Sequence, residues 1–403
     1  MRLKSVTIVG GGVLGVTVGL LLEGMGVSVH LVATERADCF DPSSVSPNFA
    51  SAFPAASIIP HSVTMDGLED VLNGSLSAFD FLTVKVPLVV RRQWHYEAFE
   101  GDLPKAGYLS ALELVGFFGQ GYTDASPIQR SANQPVAGWR FRTFFVEAPR
   151  YMRLLFNLFR ELGGTTSCQT VSGPEELLTL PGEVLVVCAG MGSPKILGRR
   201  EPKHFEQGHL IHLPIGLRDL GVPPASYNYT PLAHIHPNGS GRAMDVYAYP
   251  RVDSTVLGGS RLPGVETLDG DIDVEEYSGP TRSVPTPTGE VVQVPSAVID
   301  LNQALFSQLF GIDISKLPMS AVLGRRYRGG RPDAAVSETL EVLGGRPVLS
   351  CYGLGGSGVT LSWGLAARLL QRLLGSGFET QHSLLDDPIA KLFSRMDGRG
   401  WET

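Results

Sequence analysis

The residues with the clearest chemistry are three glycines near the start of the chain, spaced as G-x-G-x-x-G at Gly10, Gly12 and Gly15. An apolar run, 5–9, precedes them and a longer one, 13–22, follows, which predicts a strand, a turn and a helix. In that order the first glycine permits the tight turn, the second lets a pyrophosphate approach the backbone, and the third lets the helix pack on the strand. The unpaired N–H groups that open such a helix favour an anion. The pattern therefore predicts a dinucleotide-binding site.

An acidic residue after the second predicted strand supports the same site. The run 27–33 alternates as a strand, and Glu35 lies 20 residues beyond Gly15, where a carboxylate usually binds the adenosine ribose. Thr34 lies beside it, so which side chain reaches the ribose is open. The residues expected at the nucleotide are Gly10, Gly12, Val13, Leu14, Gly15, Thr34, Glu35 and Arg36. At this point FAD and NAD(P) remain alternatives.

Composition excludes several classes of function. The chain has 403 residues, 43% hydrophobic and 18% charged, the profile of a globular protein with room for two domains. A net charge of −7 gives no electrostatic case for nucleic acid or an anionic membrane, and no apolar run is long enough to span a bilayer. The four cysteines lack C-x-x-C spacing and the first apolar run is the predicted nucleotide-binding strand, so we expect a cytoplasmic protein. The sequence allows a homodimer and leaves the oligomeric state open.

Hydrophobic patterning predicts the remaining elements. The wholly apolar run Val184 to Gly190 predicts a central parallel strand that joins the two N-terminal strands from far along the chain. Alternating runs between His209 and Gly259 predict an antiparallel sheet, and one of them, 232–236, carries two histidines without a third ligand, so no metal site is predicted. Further predictions are a strand at 82–90, a helix at 109–118 and an exposed excursion at 262–294.

These elements predict an α/β protein with a discontinuous Rossmann-like nucleotide-binding domain and a substrate domain built on an antiparallel sheet. The boundaries we assign are 1–80, 140–200 and 325–403 for the nucleotide-binding domain, and 81–139 and 201–324 for the substrate domain.

Taken together, the segments resemble the D-amino-acid oxidase family of FAD-dependent oxidoreductases, which includes glycine oxidase-like enzymes. The resemblance covers almost the whole chain and rests on five motifs. These are V-G-G-G-V-L-G at 9–15, S-A-F-P-A-A-S-I-I-P at 51–60, V-C-A-G at 187–190, G-G-R-P at 329–332, and Y-G-L-G-G-S-G-V-T-L-S-W-G at 352–364. The last two, in that order, are similar to the C-terminal signature of the family, which implies FAD rather than NAD(P).

The resemblance implies further FAD contacts beyond the first glycine turn. Ser51 is expected at the diphosphate, Val171 at the adenine, and the loop that contains Ala55, Ala56 and Ser57 beside the flavin ring. The last glycine turn opens a helix, so its N–H groups converge on an anion, here the N1–C2=O edge of the ring. The remaining expected contacts are Gly190, Gly355, Gly356, Ser357, Gly358, Val359 and Thr360. The absence of an arguable attachment residue implies non-covalent FAD.

On the substrate side the resemblance implies that Arg331 and Tyr247 bind the carboxylate of an amino acid and that the Gly356 carbonyl accepts a hydrogen bond from its amino group. A planar guanidinium suits a carboxylate because it donates two parallel hydrogen bonds. The sequence departs from the family at Ala243, where a second tyrosine is common. Tyr249 lies on the same face of the predicted strand as Tyr247 and can take the place of that missing tyrosine.

The expected function is an FAD-dependent oxidase that deaminates an amino acid, with a D-amino acid as the expected substrate, to an imine and then a 2-oxo acid, with O2 reduced to H2O2. One alternative is a dehydrogenase or a tailoring oxidase that acts on another amine. An alternative of a different class is a flavin-binding protein without catalysis.

Overall fold

A computed structural model of the chain describes residues 3–36, 45–54, 56–61, 63–103, 120–123, 128, 135–331 and 336–375. Its helices are α1 (Val13–Gly24), α2 (Leu68–Lys85), α3 (Ala148–Glu161), α4 (Pro174–Thr179), α5 (Ser193–Ile196), α6 (Ser296–Phe310) and α7 (Gly358–Leu374). Its strands are β1 (Ser5–Gly11), β2 (Ser28–Arg36), β3 (Val90–Phe99), β4 (Gln120–Thr123), β5 (Ala137–Val146), β6 (Thr165–Cys168), β7 (Val184–Val187), β8 (Lys203–Leu213), β9 (Ala225–Thr230), β10 (Val246–Pro250), β11 (Thr255–Gly258), β12 (Leu262–Glu266), β13 (Ile272–Val274), β14 (Thr281–Pro285), β15 (Val291–Pro295), β16 (Ser320–Gly329), β17 (Ser337–Leu343) and β18 (Arg346–Tyr352).

Six strands form the smaller of the two main sheets, in the order β17-β18-β7-β1-β2-β6. All pairs are parallel except β17–β18 at one edge. The run 184–187 pairs with β1, as predicted, and all four of its residues are buried because the sheet is covered on both faces. One face of this sheet packs on α1 and α3. Side chains on its other face, among them Val9, Val32 and Val187, belong to a separate core cluster.

Ten strands form the larger sheet, whose main order is β13-β12-β8-β11-β10-β9-β3-β5-β4, with β16 also paired to β8. Every pair is antiparallel except β3–β9. Helix α6 covers one face and buries Val298, Leu305 and Phe306 against it. The α/β class and the two kinds of sheet are confirmed.

Several local predictions were wrong. Residues 82–85 belong to α2, since their apolar spacing continues the helix, and β3 begins only at Val90. The predicted strand at 232–236 is a turn, and the strand beside β10 is instead the earlier run 225–230. The region 262–294 is only partly an excursion, because β12 pairs with β8 and both Val284 and Val294 are buried. The predicted helix at 109–118 lies outside the described residues.

Two segments belong to a different sheet from the one that the assigned boundaries imply. The strand Ala137–Val146 and the strand Ser320–Gly329 both lie in the larger sheet, although 140–146 and 325–329 were assigned to the nucleotide-binding domain. Both segments pair with strands of the larger sheet, β3 and β8, rather than with strands of the six-stranded sheet. The division of the chain into domains stays a prediction.

Helix α7 approaches α2 closely because Gly364 has no side chain. A Cβ at Gly364 would lie 1.9 Å from the carbonyl oxygen of Val71. At the same crossing the Gly364 N–H donates to Ser75 Oγ at 2.9 Å. The glycine therefore sets the distance between the two helices that cover one end of the core.

We expect Gly364→Ala to lower the free energy of unfolding by about 1–3 kcal/mol or more, since the added methyl forces two packed helices apart. Denaturant or thermal unfolding measures this change. The control is Gly221→Ala, where a Cβ would meet nothing within 4 Å. Equal stability of the two variants would contradict the close-packing account.

Candidate active site

The first glycine turn lies between β1 and α1, and its three glycines have different surroundings. A Cβ at Gly10 would lie 2.3 Å from the Cys188 carbonyl oxygen, and one at Gly15 would lie 2.1 Å from the Gly10 oxygen. These two positions are therefore fixed by the packing of β1, β7 and α1. A Cβ at Gly12, the residue that precedes α1, would meet only Ser51. Gly12 thus faces open space, which is the first sign of a ligand at this turn.

That space is a cavity of about 420 Å³, which we call the larger cavity. It runs along the carboxyl ends of the parallel strands β2, β1 and β7, where open α/β sheets bind ligands. The sequence-predicted residues that line it are Gly10, Gly12, Val13, Leu14, Thr34, Glu35, Ser51, Val171, Gly190, Gly355 and Gly358. The structure thus gathers residues from six separated segments of the chain around one elongated space.

The end of β2 shows how the acidic residue is held. Glu35 Oε1 accepts a hydrogen bond from the Ser46 N–H at 2.9 Å, and Thr34 Oγ1 donates to Thr170 at 3.1 Å. Both residues line the larger cavity. Arg36 donates instead to Thr166 at 2.7 Å and does not line it. Of the three candidates at this strand end, two are therefore placed to meet a ribose.

A second cavity of about 160 Å³, the smaller cavity, opens beside the first and lies against the larger sheet. The two cavities share Val13, Ala50, Ser51, Gly355 and Gly358 in their walls. The predicted residues that line the smaller cavity are Ala56, Ser57, Tyr247, Gly355, Gly356, Gly358, Val359 and Thr360. A long ligand that fills the larger cavity can thus extend one end into the smaller one.

The loop that contains Ala56 forms one wall of the smaller cavity. Ala56 has φ of 54°, the only positive φ among the described non-glycine residues. Hydrogen bonds to β5 hold this conformation: the Val146 N–H donates to the Ala56 carbonyl and the Ile58 N–H to that of Phe144, both at 2.9 Å. Strained backbone of this kind persists where the surroundings over-determine it, often at a ligand.

The opposite wall is the last glycine turn, residues 352–358, which precedes α7. The Gly355 N–H donates to the Tyr327 carbonyl oxygen at 2.9 Å, which ties the turn to β16. Ser357 is buried and lines neither cavity. Its hydroxyl donates a hydrogen bond to the carbonyl oxygen of His61. Its role is to join the turn to the loop across the cavity, rather than to contact a ligand.

Strands β10 and β16 supply the polar side chains of the smaller cavity. Tyr247 and Tyr249 lie on one face of β10, as predicted, with ring centroids 5.0 Å apart. Arg326 Nη2 donates to the Tyr247 hydroxyl at 3.3 Å, which places a guanidinium beside the phenol.

Arg261 also lines the smaller cavity and is paired with Asp245 at 2.8 Å. Burial lowers the pKa of Arg261, but Asp245 and Glu206 outweigh burial and raise it above its usual value.

The structure does not bring Arg331 to this cavity. Arg331 is exposed, lies beyond the end of β16 and lines neither cavity, whereas Arg326 lies within the strand and lines the smaller one. Gly15 also lies outside both cavity walls, for the packing reason given above. Ala55 lies outside the described residues.

Besides Arg326, sequence reasoning missed four polar residues of the smaller cavity, His61, Asn228, Arg261 and Arg325. His61 directly follows the motif at 51–60, and that position was the available signal. Asn228 lies on β9, which the sequence analysis did not predict. Arg261 lies just after the glycine pair at the end of β11, between the predicted sheet, which ends at Gly259, and the predicted excursion, which begins at residue 262.

Comparison with known proteins defines the class of this site. A family model described as FAD dependent oxidoreductase matches residues 112–372, more than half of the chain. A D-amino-acid oxidase of Rubrobacter xylanophilus is 30% identical over 231 residues, which is 57% of this chain and 57% of that protein, so the match spans little more than half of the relative. A D-amino-acid oxidase of Schizosaccharomyces pombe is 22% identical over 379 residues, 90% of this chain and 94% of that protein.

A solved structure has the same fold. The crystal structure of an iminodiacetate oxidase from Chelativorans sp. matches with a TM-score of 0.58 and 17% identity over 93% of this chain and 96% of that one. The chain therefore belongs to the FAD-dependent oxidoreductase family, and the resemblance to D-amino-acid oxidases is confirmed. Its cofactor is FAD.

The residues present fit FAD. The missing Cβ of Gly12 leaves room for a diphosphate at the start of α1, where the Val13 N–H already donates to Ser51 Oγ at 3.0 Å. The Tyr327 hydroxyl is buried in the wall of the larger cavity without a hydrogen-bond partner among the described residues. A polar ligand would supply the partner that such a buried group needs.

None of the described helices is both long enough and apolar enough to cross a bilayer. Within the described ranges, no group of three histidine, cysteine or acidic side chains is placed to hold a metal ion.

We expect Gly12→Val to abolish FAD binding while the chain still folds, because the valine methyls would occupy the space that the diphosphate needs. FAD is measured by absorbance in the supernatant after denaturation, since we propose that it is bound non-covalently. Thermal unfolding of the apo-protein provides the folding control. A folded Gly12→Val protein that is purified with one FAD per chain would contradict the assignment of the larger cavity.

Proposed function

We propose that this protein is an FAD-dependent oxidase that deaminates an amino acid, a D-amino acid in the first instance, to an imine that hydrolyses to a 2-oxo acid. The observation that carries the proposal is the pairing of Arg326 with Tyr247 in the smaller cavity, beside the last glycine turn. A guanidinium and a phenol hydroxyl that converge on one space are suited to a carboxylate. The carboxylate-binding arginine in this proposal is Arg326 rather than Arg331.

The chain itself supplies mainly positioning. Arg326 and Tyr247 hold the substrate carboxylate in the smaller cavity, and the Gly356 carbonyl accepts a hydrogen bond from the amino group. These contacts fix the α-carbon, and such fixation removes much of the entropic cost of the reaction. Bound FAD would supply the two-electron chemistry, as the acceptor of hydride from the α-carbon, with O2 as the proposed final acceptor and H2O2 as its product.

Tyr249 lines the same cavity beside Tyr247. Burial raises the pKa of Tyr249 well above its usual value, with Glu97 and Tyr247 adding to the effect, so the phenol stays protonated. Its hydroxyl donates to Asn228 Oδ1 at 2.6 Å. Tyr249 therefore orients Asn228 and packs against Tyr247. Its replacement of a second carboxylate-binding tyrosine stays a prediction.

We also propose a cytoplasmic location. The described cysteines Cys168, Cys188 and Cys351 are free, which suits a reducing compartment.

We expect Arg326→Ala to slow flavin reduction by the best amino acid about 30- to 5,000-fold. That range corresponds to about 2–5 kcal/mol for a buried carboxylate left without its partner. FAD content and the visible spectrum should stay unchanged, because the cofactor is held elsewhere. Anaerobic stopped-flow reduction measures the effect.

The matched control is Arg331→Ala, which removes an exposed arginine five residues along the same segment and should react as the wild type does. A decarboxylated analogue of the substrate should reduce the flavin of the wild type and of Arg326→Ala at similar rates. A large loss in Arg331→Ala with none in Arg326→Ala would return the assignment to Arg331.

The electron acceptor is tested by product stoichiometry. An oxidase should form one H2O2 for each amine oxidised in air, whereas a dehydrogenase should form little peroxide until an artificial acceptor is added. An oxygen electrode with and without catalase measures the ratio. A ratio near zero with rapid anaerobic reduction would favour the dehydrogenase.

A further inference from the structure

A buried carboxylate lies behind the smaller cavity and accepts hydrogen bonds from three side chains. Glu97, on β3, has a side chain only 2% exposed. Its Oε1 accepts from His61 Nε2 and His95 Nε2, both at 2.9 Å, and from Asn228 Nδ2 at 2.8 Å. The residues come from three segments, the loop that follows the motif at 51–60, β3 and β9, which the parallel β3–β9 pairing brings together. Nothing in the carboxylate-binding role of Arg326 requires this cluster.

The protonation states follow from the contacts. Burial raises the pKa of Glu97, but His61 and His95 outweigh burial and hold it well below its usual range, so the carboxylate is ionised. Burial lowers the pKa of His95, which Glu97 opposes, so this imidazole is neutral. An ionised carboxylate can only accept, and therefore each imidazole carries its hydrogen on Nε2. The lone pair of neutral His61 is consequently on Nδ1.

His61 is the member of the histidine–carboxylate cluster that meets the cavity. Its side chain is 27% exposed, whereas those of Glu97 and His95 are 2% and 0% exposed. His61 lines the same cavity as Tyr247 and Arg326, and its carbonyl accepts from Ser357 in the last glycine turn. His61 is therefore held in the wall of the smaller cavity, next to the last glycine turn that contains Gly356.

We propose that His61, supported by Glu97, is the general base that removes a proton from the substrate ammonium group before oxidation. The proposal rests on the proposed function, since it concerns the same cavity and the same amine. An ammonium nitrogen has no lone pair, so it cannot form the C=N bond as hydride leaves the α-carbon. Transfer of one proton from R–NH3⁺ to His61 Nδ1 gives R–NH2 and an imidazolium, and the nitrogen lone pair then forms C=N as hydride departs.

The charges around His61 favour this transfer. Glu97, at 2.9 Å, stabilises the imidazolium and fixes the tautomer, in the way that a buried carboxylate orients a catalytic histidine. His95 and Asn228 hold Glu97 in place, while Tyr249 holds Asn228. The other charged and titratable groups in the cavity wall are Arg261, Arg325, Arg326, Tyr247 and Tyr249, of which Arg261 is paired with Asp245. The arginines oppose a second positive charge, whereas the Glu97 carboxylate, which favours one, is directly hydrogen-bonded to the imidazole.

The test is the pH dependence of anaerobic flavin reduction in His61→Ala and the wild type, with the best amino acid as substrate. In the wild type the rate constant should rise with pH and then level off once the base is fully deprotonated. In His61→Ala it should fall 10²- to 10⁴-fold near pH 7, the range typical of general-base catalysis, and should rise tenfold per pH unit as free amine becomes available. Imidazole added to His61→Ala should restore part of the rate.

Two further measurements separate a base from a structural residue. Binding of benzoate, a carboxylate without an amino group, should be nearly unchanged in His61→Ala by absorbance titration of the flavin. His234→Ala, at an exposed histidine outside the cavity, should behave as the wild type. If His61→Ala loses FAD, His61→Asn and Glu97→Gln serve instead, and each should show the same steepened pH profile.

The outcomes are distinguishable. If no amine reduces the wild-type flavin, the proposed function itself fails. If the wild type is reduced and His61→Ala keeps its rate and pH profile, the amino acid oxidase proposal stands and the base assignment is overturned. A uniform loss at every pH without rescue by imidazole would likewise overturn it, because it would show a structural role for His61.

Discussion

The rest of the structure depends on two helices, α1 and α7, that begin side by side at the edge of the six-stranded sheet. Each follows a strand and a glycine turn, and a Cβ at Gly358 would lie 3.8 Å from Val13, so the two helix starts are in contact range. Unpaired N–H groups and the positive ends of both helix dipoles therefore face one region, which favours negative charge there. The larger and smaller cavities meet at these helix starts, and FAD, the cofactor of this family, carries negative charge on its diphosphate.

The larger sheet forms the other side of the site. It contributes side chains to the smaller cavity, whereas the six-stranded sheet contributes glycine turns and helix starts. Tyr247 and Arg326 come from strands on either side of β8 and β11, and the loop at 56–58 is hydrogen-bonded to β5 of the same sheet. The flavin end of the cofactor and the amine thus lie, in our proposal, between a backbone-lined surface and a side-chain-lined one. This division explains why the nucleotide contacts are mostly glycines while the proposed substrate contacts are arginine, tyrosine and histidine.

Local patterns predicted the first of these surfaces well. The glycine turn at Gly10 to Gly15 and the central strand at 184–187 are each encoded within a few residues, so spacing and hydrophobicity were sufficient. The second surface depends on strand pairing, which the sequence does not show. Arg331 matched the family motif, but β16 shifts register between Tyr327 and Gly329, and it is Arg326 that lies in the cavity wall. The Glu97 cluster requires β3 to lie parallel to β9, although more than a hundred residues separate them.

The most direct test of this account is anaerobic reduction of the bound flavin by matched amines: D- and L-amino acids, glycine, sarcosine, and the decarboxylated counterpart of whichever reacts best. The account predicts that at least one α-amino acid bleaches the flavin band rapidly and that its decarboxylated counterpart does so far more slowly, since the carboxylate contacts position the α-carbon. Purified protein with stoichiometric FAD that no amine reduces would contradict it. Equal rates with and without the carboxylate would also contradict it.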